Sequence, residues 1–220
     1  MSRQRDELQG DGMSASAKQD YKMSFSTGGL FHNESLEVAR LHLDGEPWED
    51  TILRAMEEGA TSLPKSASNR RSLREISNRL LTLTTDERAY LLDEADRSEQ
   101  QALLWVATCR AYRFIREFAI EVVRDRYLAY QLELPLESFD ILLEAKAEWD
   151  DDLASLSQST RLKLRQIMFR IMREAGIISD DHRIQTAVIS TRVRHMIEAT
   201  NPSELAIFPS VPVEGVWFDA

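Results

Sequence analysis

The sequence predicts an all-α protein: a compact multi-helix globule around a central buried helix, with helix-turn-helix or winged-helix-like elements beside it. Three observations carry that prediction. Gly (8) and Pro (6) are scarce among 220 residues. Strand-like alternation of apolar and polar residues is almost absent. Residues 98–130 place apolar side chains around most of a helix's circumference, the pattern of a helix with others packed about it.

Residues 1–22 are polar, rich in Ser, Gln, Gly and Asp, and lack helical periodicity; they are expected to form a disordered leader, with Met13 and Met23 as alternative starts. An N-terminal helical domain is expected over 23–133. Gly28 and Gly29 turn the chain into a helix from about 30 to 43, and Pro47 opens the next, 47–58, which Gly59 stops. In 65–83, Leu73, Ile76, Leu80 and Leu83 share one face, with Arg70, Arg71, Arg74 and Asn78 roughly opposite. Thr84 and Glu87 have the spacing of a capping box, which starts a short helix to about residue 94.

The central stretch follows. Trp105, Cys109, Tyr112, Ala119, Val123 and Tyr127 form one apolar face, and Phe114, Ile115, Phe118 and Val122 a second beside it. Arg110, Arg113, Glu117, Glu121 and Arg124 remain as a narrow polar stripe. Unbroken, 98–130 would run about 50 Å, against roughly 45 Å for the width of a globule of this length. A break near 109–112 is therefore expected.

Pro135 marks the boundary to a C-terminal domain, 134–200, read as winged helix-turn-helix-like. A helix over 137–150 ends in an acidic run; 137–152 holds seven acids against Lys146, a balance of −6. Ser157, Ser159 and Thr160 offer caps for a helix over 160–175, whose core face is Leu164, Ile167, Met168, Ile171, Met172 and Ala175. Gly176 ends it. Residues 177–188 read as two short extended pieces, a small wing, before a helix over 190–199. The tail, 201–220, is apolar enough to pack back on the body.

A net charge of −10 argues against a nucleic-acid partner, but the charge is unevenly spread. From Lys65 to Arg79 five bases face one acid, and from Ser157 to His195 eight bases face three. Basic faces behind capped helix starts suit a phosphate backbone, with arginine and glutamine able to read base edges. The candidate DNA-binding residues are Lys65, Asn69, Arg70, Arg71, Arg74 and Asn78 on the first helix. On the second they are Ser159, Thr160, Arg161, Lys163, Arg165, Gln166, Arg170 and Arg173.

Four stretches resemble a known family. LLWVATCRAYRFIREFAIEVVRD at 103–125 resembles the signature of the BrxA family, components of BREX (bacteriophage exclusion) systems in bacteria. MSFSTGGLF at 23–31 is similar to the family's start, 145–177 to its carboxyl half, and ELAIFP at 204–209 to its end. The resemblance implies an all-helical protein whose helix-turn-helix elements bind double-stranded DNA in phage defence, beside other BREX subunits. The runner-up is an interaction scaffold that contacts those subunits, through 137–152 and the tail, without touching DNA.

Enzymatic readings fare worse. Asp140, Glu144 and Lys146 have the order of a nuclease D…ExK set, but all three fall on one expected helix, where Glu144 and Lys146 point apart. The four histidines lack ligand spacing, and no phosphate-binding glycine loop or CxxC is present. No catalytic residue, metal or cofactor is expected. The single Cys109 sits on an apolar face and reads as a core thiol. The longest apolar run, 102–106, is far below the ~18 residues of a membrane span, and residues 1–12 lack the apolar segment of a signal peptide. A cytoplasmic protein, monomeric when isolated and without a membrane partner, is expected.

Overall fold

Tyr112 divides the central helix, as its length requires. In the computed structural model, which describes residues 21–59 and 69–213, α5 runs Arg97–Ala111 and Tyr112 is extended at φ −128°, ψ 100°. The chain resumes as α6 (Arg113–Phe118), a π-helical stretch (Ala119–Arg124) and α7 (Asp125–Leu128). The start of α5 carries a capping box of Asp96 and Glu99, which was not among the expected caps. Residues 102–109 are all buried, including Cys109, whose thiol burial pushes well above its usual pKa.

Around this axis lie α1 (His32–Leu41), α2 (Trp48–Glu58), α3 (Asn69–Leu80) and α4 (Thr85–Asp93). Pro47 is the N-cap of α2 rather than its first residue. The capping box of α4 is formed as expected, with Thr84 Oγ1 accepting from Glu87 N and Glu87 accepting in return from Thr84 N. Glu87 also acts beyond its own helix. Together with Glu204 it holds the Arg110 guanidinium, at 2.6 and 2.8 Å. Arg110 thereby ties the start of α4 to the tail.

The polar stripe expected along the central helix is largely internal. The π stretch shifts the helical register, and both Val123 and Arg124 are buried. Arg124 donates to the carbonyls of Phe208 and Val211, and Trp105 Nε1 donates to that of Ile207. These bonds fasten a tail whose Leu205, Ile207, Phe208 and Val211 are buried. Tyr21, inside the expected leader, is also fastened: its hydroxyl donates to Glu117 at 2.5 Å and Arg113 stacks on its ring.

The carboxyl half holds α8 (Glu137–Ala147), a single turn α9 (Asp151–Ala154), α10 (Gln158–Glu174) and α11 (Thr191–Thr200), followed by a 3-10 turn, Pro202–Ile207. The expected 137–150 helix thus stops early. Asp150, buried, accepts from Leu153 N and starts α9. After α10 the chain doubles back. Ile178 pairs antiparallel with Ile184, and Glu133 with Arg183, through bonds such as Ile184 N to Leu132 O and Leu134 N to His182 O. The expected extended pieces are therefore present as isolated bridges, and the segment before α8 joins them.

Candidate nucleic-acid interface

α3 presents its charge as the apolar spacing demands. Leu73, Ile76 and Leu80 are fully buried, which turns Arg70, Arg71 and Arg74 outward, all exposed, with Asn78 half-buried between them. The one acid of the helix is removed from this face: Glu75 is buried and accepts from the Tyr112 hydroxyl. Three arginines therefore stand on an outer face to which their own helix adds no carboxylate. Arg74 and Asn78 border a cleft of about 510 Å³ between α2 and α3, lined also by Trp48, Ile52 and Leu81 and by the acidic Glu46 and Glu49. Asn69 is half-buried, its Oδ1 without a partner among the described residues. Lys65 lies outside the described residues.

Arg79, counted among the bases of 65–79, belongs to the core. It is 2% exposed, donates to Gly29 O at 2.7 Å, and lies over the rings of Phe31 and Tyr112. Burial also pushes the Tyr112 hydroxyl above its usual pKa.

α10 begins at its cap, with Ser157 Oγ accepting from Thr160 N at 3.2 Å. Ser159, Leu162, Lys163, Gln166 and Arg170 are placed at spacings of three and four and form its outer face, with Leu162, Lys163, Gln166 and Arg170 all exposed. Most of its cations are already engaged. Arg161 donates to the carbonyls of Leu156 and Ala154, Arg165 pairs with Asp140, Arg170 pairs with Glu174 at 2.7 Å, and Arg173 donates to His182 Nε2 at 3.2 Å. Lys163 is exposed and has no acid partner among the described residues. Beside this face runs a groove of about 620 Å³. Leu136, Leu162 and Phe169 give it an apolar lining, with Lys163, Gln166, Arg173 and His182 around it.

The two helices meet the same axis, α5, and one dipeptide links their ends. Gly29 O accepts from Arg79 of α3, and Leu30 N donates to Glu174 of α10 at 2.6 Å. A side chain at Gly29 would meet the Glu174 carboxylate and displace it from Leu30 N. The glycine pair thus serves a turn and a close approach between the ends of α3 and α10.

Sequence reasoning missed Leu162 and His182. Leu162 falls outside the Leu164–Ile167–Met168 core stripe, and that offset was the available signal. Asp140, Glu144 and Lys146 all lie on α8, as expected: Asp140 pairs with Arg165, Lys146 with Glu117 and Glu121, and Glu144 is exposed. Among the described residues no three His, Cys, Asp or Glu side chains are grouped to hold a metal, and no helix is long and apolar enough to cross a membrane.

Comparison with known proteins gives a consistent result. The BrxA family model matches residues 19–201. A protein of Escherichia coli named BREX protein BrxA is 28% identical over 160 residues, covering 71% of this chain and 73% of that one. A second of that name, from Paramagnetospirillum magneticum, is 27% identical over 188 residues, covering 84% and 94%. Among solved structures, an uncharacterized protein from Magnetospirillum magneticum has the same fold, with a TM-score of 0.74 at 24% identity over 87% of this chain and 98% of that one.

Proposed function

The chain belongs to the BrxA family, and from that premise we propose that it is a non-catalytic, double-stranded-DNA-binding component of a BREX anti-phage defence system. The observation that carries the DNA reading is the outer face of α3: Arg70, Arg71 and Arg74 exposed together, with the only acid of the helix turned into the core. Arginines so placed neutralise phosphates and release their counterions. α10 supplies the second contact. The order of a helix ending at Leu128, a bridge at Glu133, α8, the single turn α9, α10 and a bridged return at 178–184 supports reading α10 as the major-groove helix of a winged-helix-like unit. Cap and polar face at its amino-terminal half suit that entry.

The test is binding of the full chain to a labelled duplex across a salt series. Affinity should fall steeply as salt rises, with a logarithmic slope near −0.9 for each phosphate neutralised. Absence of binding at low salt would remove the reading.

A second reading, contact with other BREX subunits, is favoured by one observation. Trp149 is 76% and Ile141 68% exposed, among the exposed acids Glu137, Glu144, Glu148, Asp151 and Asp152, on a surface that repels DNA. Such a patch suits a protein partner and leaves the basic faces free. The tail contributes less to it, since Leu205, Ile207, Phe208 and Val211 are used internally. In isolation the protein is a monomer on this reading, and light scattering across a concentration series checks that.

A further inference from the structure

The outer face of α10 holds an oddity that phosphate neutralisation does not account for. Leu162, 47% exposed, sits in the middle of it, one turn before Gln166 and next to Lys163. An apolar side chain and a neutral amide contribute nothing to counterion release. The side chains that would read guanine are meanwhile occupied. Bidentate recognition of guanine needs a free, planar arginine fork, and the two arginines flanking Leu162 and Gln166, Arg161 and Arg165, are held within the molecule. Arg161 is held by two backbone carbonyls, Arg165 by Asp140, Arg170 by Glu174 and Arg173 by His182.

We propose that α10 reads A·T pairs, Leu162 packing on the C5-methyl of thymine and the Gln166 amide pairing with the N7 and N6 edge of adenine, while Lys163 holds a phosphate. This rests on α10 being a DNA-reading helix. Leu162 and Gln166 are four residues apart and so adjacent on one helix face. Leu162 lies in the amino-terminal half of α10, the part that meets base edges in helix-turn-helix docking, and Gln166 is one turn further on, at the middle of the helix. The thymine methyl and the adenine N6 and N7 groups are all presented in the major groove. The groove lined by Leu136 and Phe169 continues the apolar surface beside Leu162.

The experiment measures affinity of the full chain, across one salt series, for three duplexes of equal length: A·T-only, the same duplex with every thymine replaced by uracil, and G·C-only. Uracil differs from thymine by the methyl alone, so the protein's fold is not in question. The A·T duplex should bind best, and loss of the methyls should weaken it about 4- to 15-fold, the transfer value of a methyl or two. Leu162→Ala should bind the thymine and uracil duplexes alike, and Gln166→Ala should lose about tenfold on A·T. Both variants should keep the wild-type salt slope. Equal binding of all three duplexes with a steep salt slope would overturn the A·T reading and leave DNA binding standing. Preference for G·C would overturn it too. Binding of none would remove both.

Discussion

Arg70 and Arg79 lie nine residues apart on one helix and have opposite fates. Arg70 is in water, whereas Arg79 is enclosed by Phe31, Tyr112 and Gly29 O. Arg79→Ala should therefore cost about 3 kcal/mol, through a cavity and a lost charged hydrogen bond, while Arg70→Ala should stay within about 0.5 kcal/mol. Urea unfolding of both variants checks the contrast. His42 offers a pH prediction. It stacks on Trp48 at 3.8 Å and meets Thr51 Oγ1 at 2.8 Å, and its burial, helped by Arg88, lowers its pKa below the ordinary value. The unfolded chain therefore takes up the proton first, so stability is present above that ordinary value and declines as pH falls through the window below it. Glu46, held at about 2 by Arg54, Leu43 N and Thr51, stays ionised there. The urea midpoint should drop between about pH 7.5 and about pH 5.5, and His42→Gln should reduce that drop; an undiminished drop in the variant contradicts the assignment.

Residue fates of this kind were the least legible part of the chain. Periodicity does not say which polar residues are internal: Arg79 was counted among the bases of 65–79 and Arg124 assigned to a narrow polar stripe, and both are buried. What internalises them is tertiary: the carbonyls of Gly29, Phe208 and Val211 lie 50 to 87 residues away in the chain. The α10 arginines were legible as charges but not as engaged charges, since Asp140 and His182 belong to other elements.

At the scale of elements the sequence was more informative, because caps and breaks are local chemistry. Thr84 and Glu87 form the box their spacing announces, Ser157 caps α10, Ser190 caps α11, and the central helix breaks at Tyr112. Thr84→Ala and Ser157→Ala should each cost about 1 kcal/mol. Circular dichroism melts of the two variants would measure it. The second should also weaken duplex binding, because it loosens the end of α10 assigned to base edges. The π turn had no signature in the apolar pattern; it absorbs one residue of register within an otherwise continuous helix. The bridged return at 178–184 was foreseen as an extended wing, but its pairing with Glu133 depends on a segment some fifty residues away and was not.

At the scale of the molecule, α5 and its continuation organise everything else, as the distribution of apolar residues over 98–130 implied. α3 and α10 pack on that axis, and Gly29 and Leu30 join their ends. The tail returns through Arg110 and Arg124 to complete the core. On the proposed reading, the outer faces of α3 and α10 on this shared support attract DNA, and the acidic surface around Trp149, between α8 and α9, repels it. A net charge of −10 is compatible with that division, because binding follows the local field.

The most direct test of the central claim, that α3 and α10 grip one duplex, is the salt slope of duplex binding for two charge reversals and their combination. The first is Arg70→Glu, Arg71→Glu and Arg74→Glu together; the second is Lys163→Glu. Each should flatten the slope, the first by about 2 to 3 and the second by about 1, and the combination should flatten it by the sum. A slope unchanged by either set, in variants that keep the wild-type melting profile, would contradict the account and place the duplex on another face of the molecule.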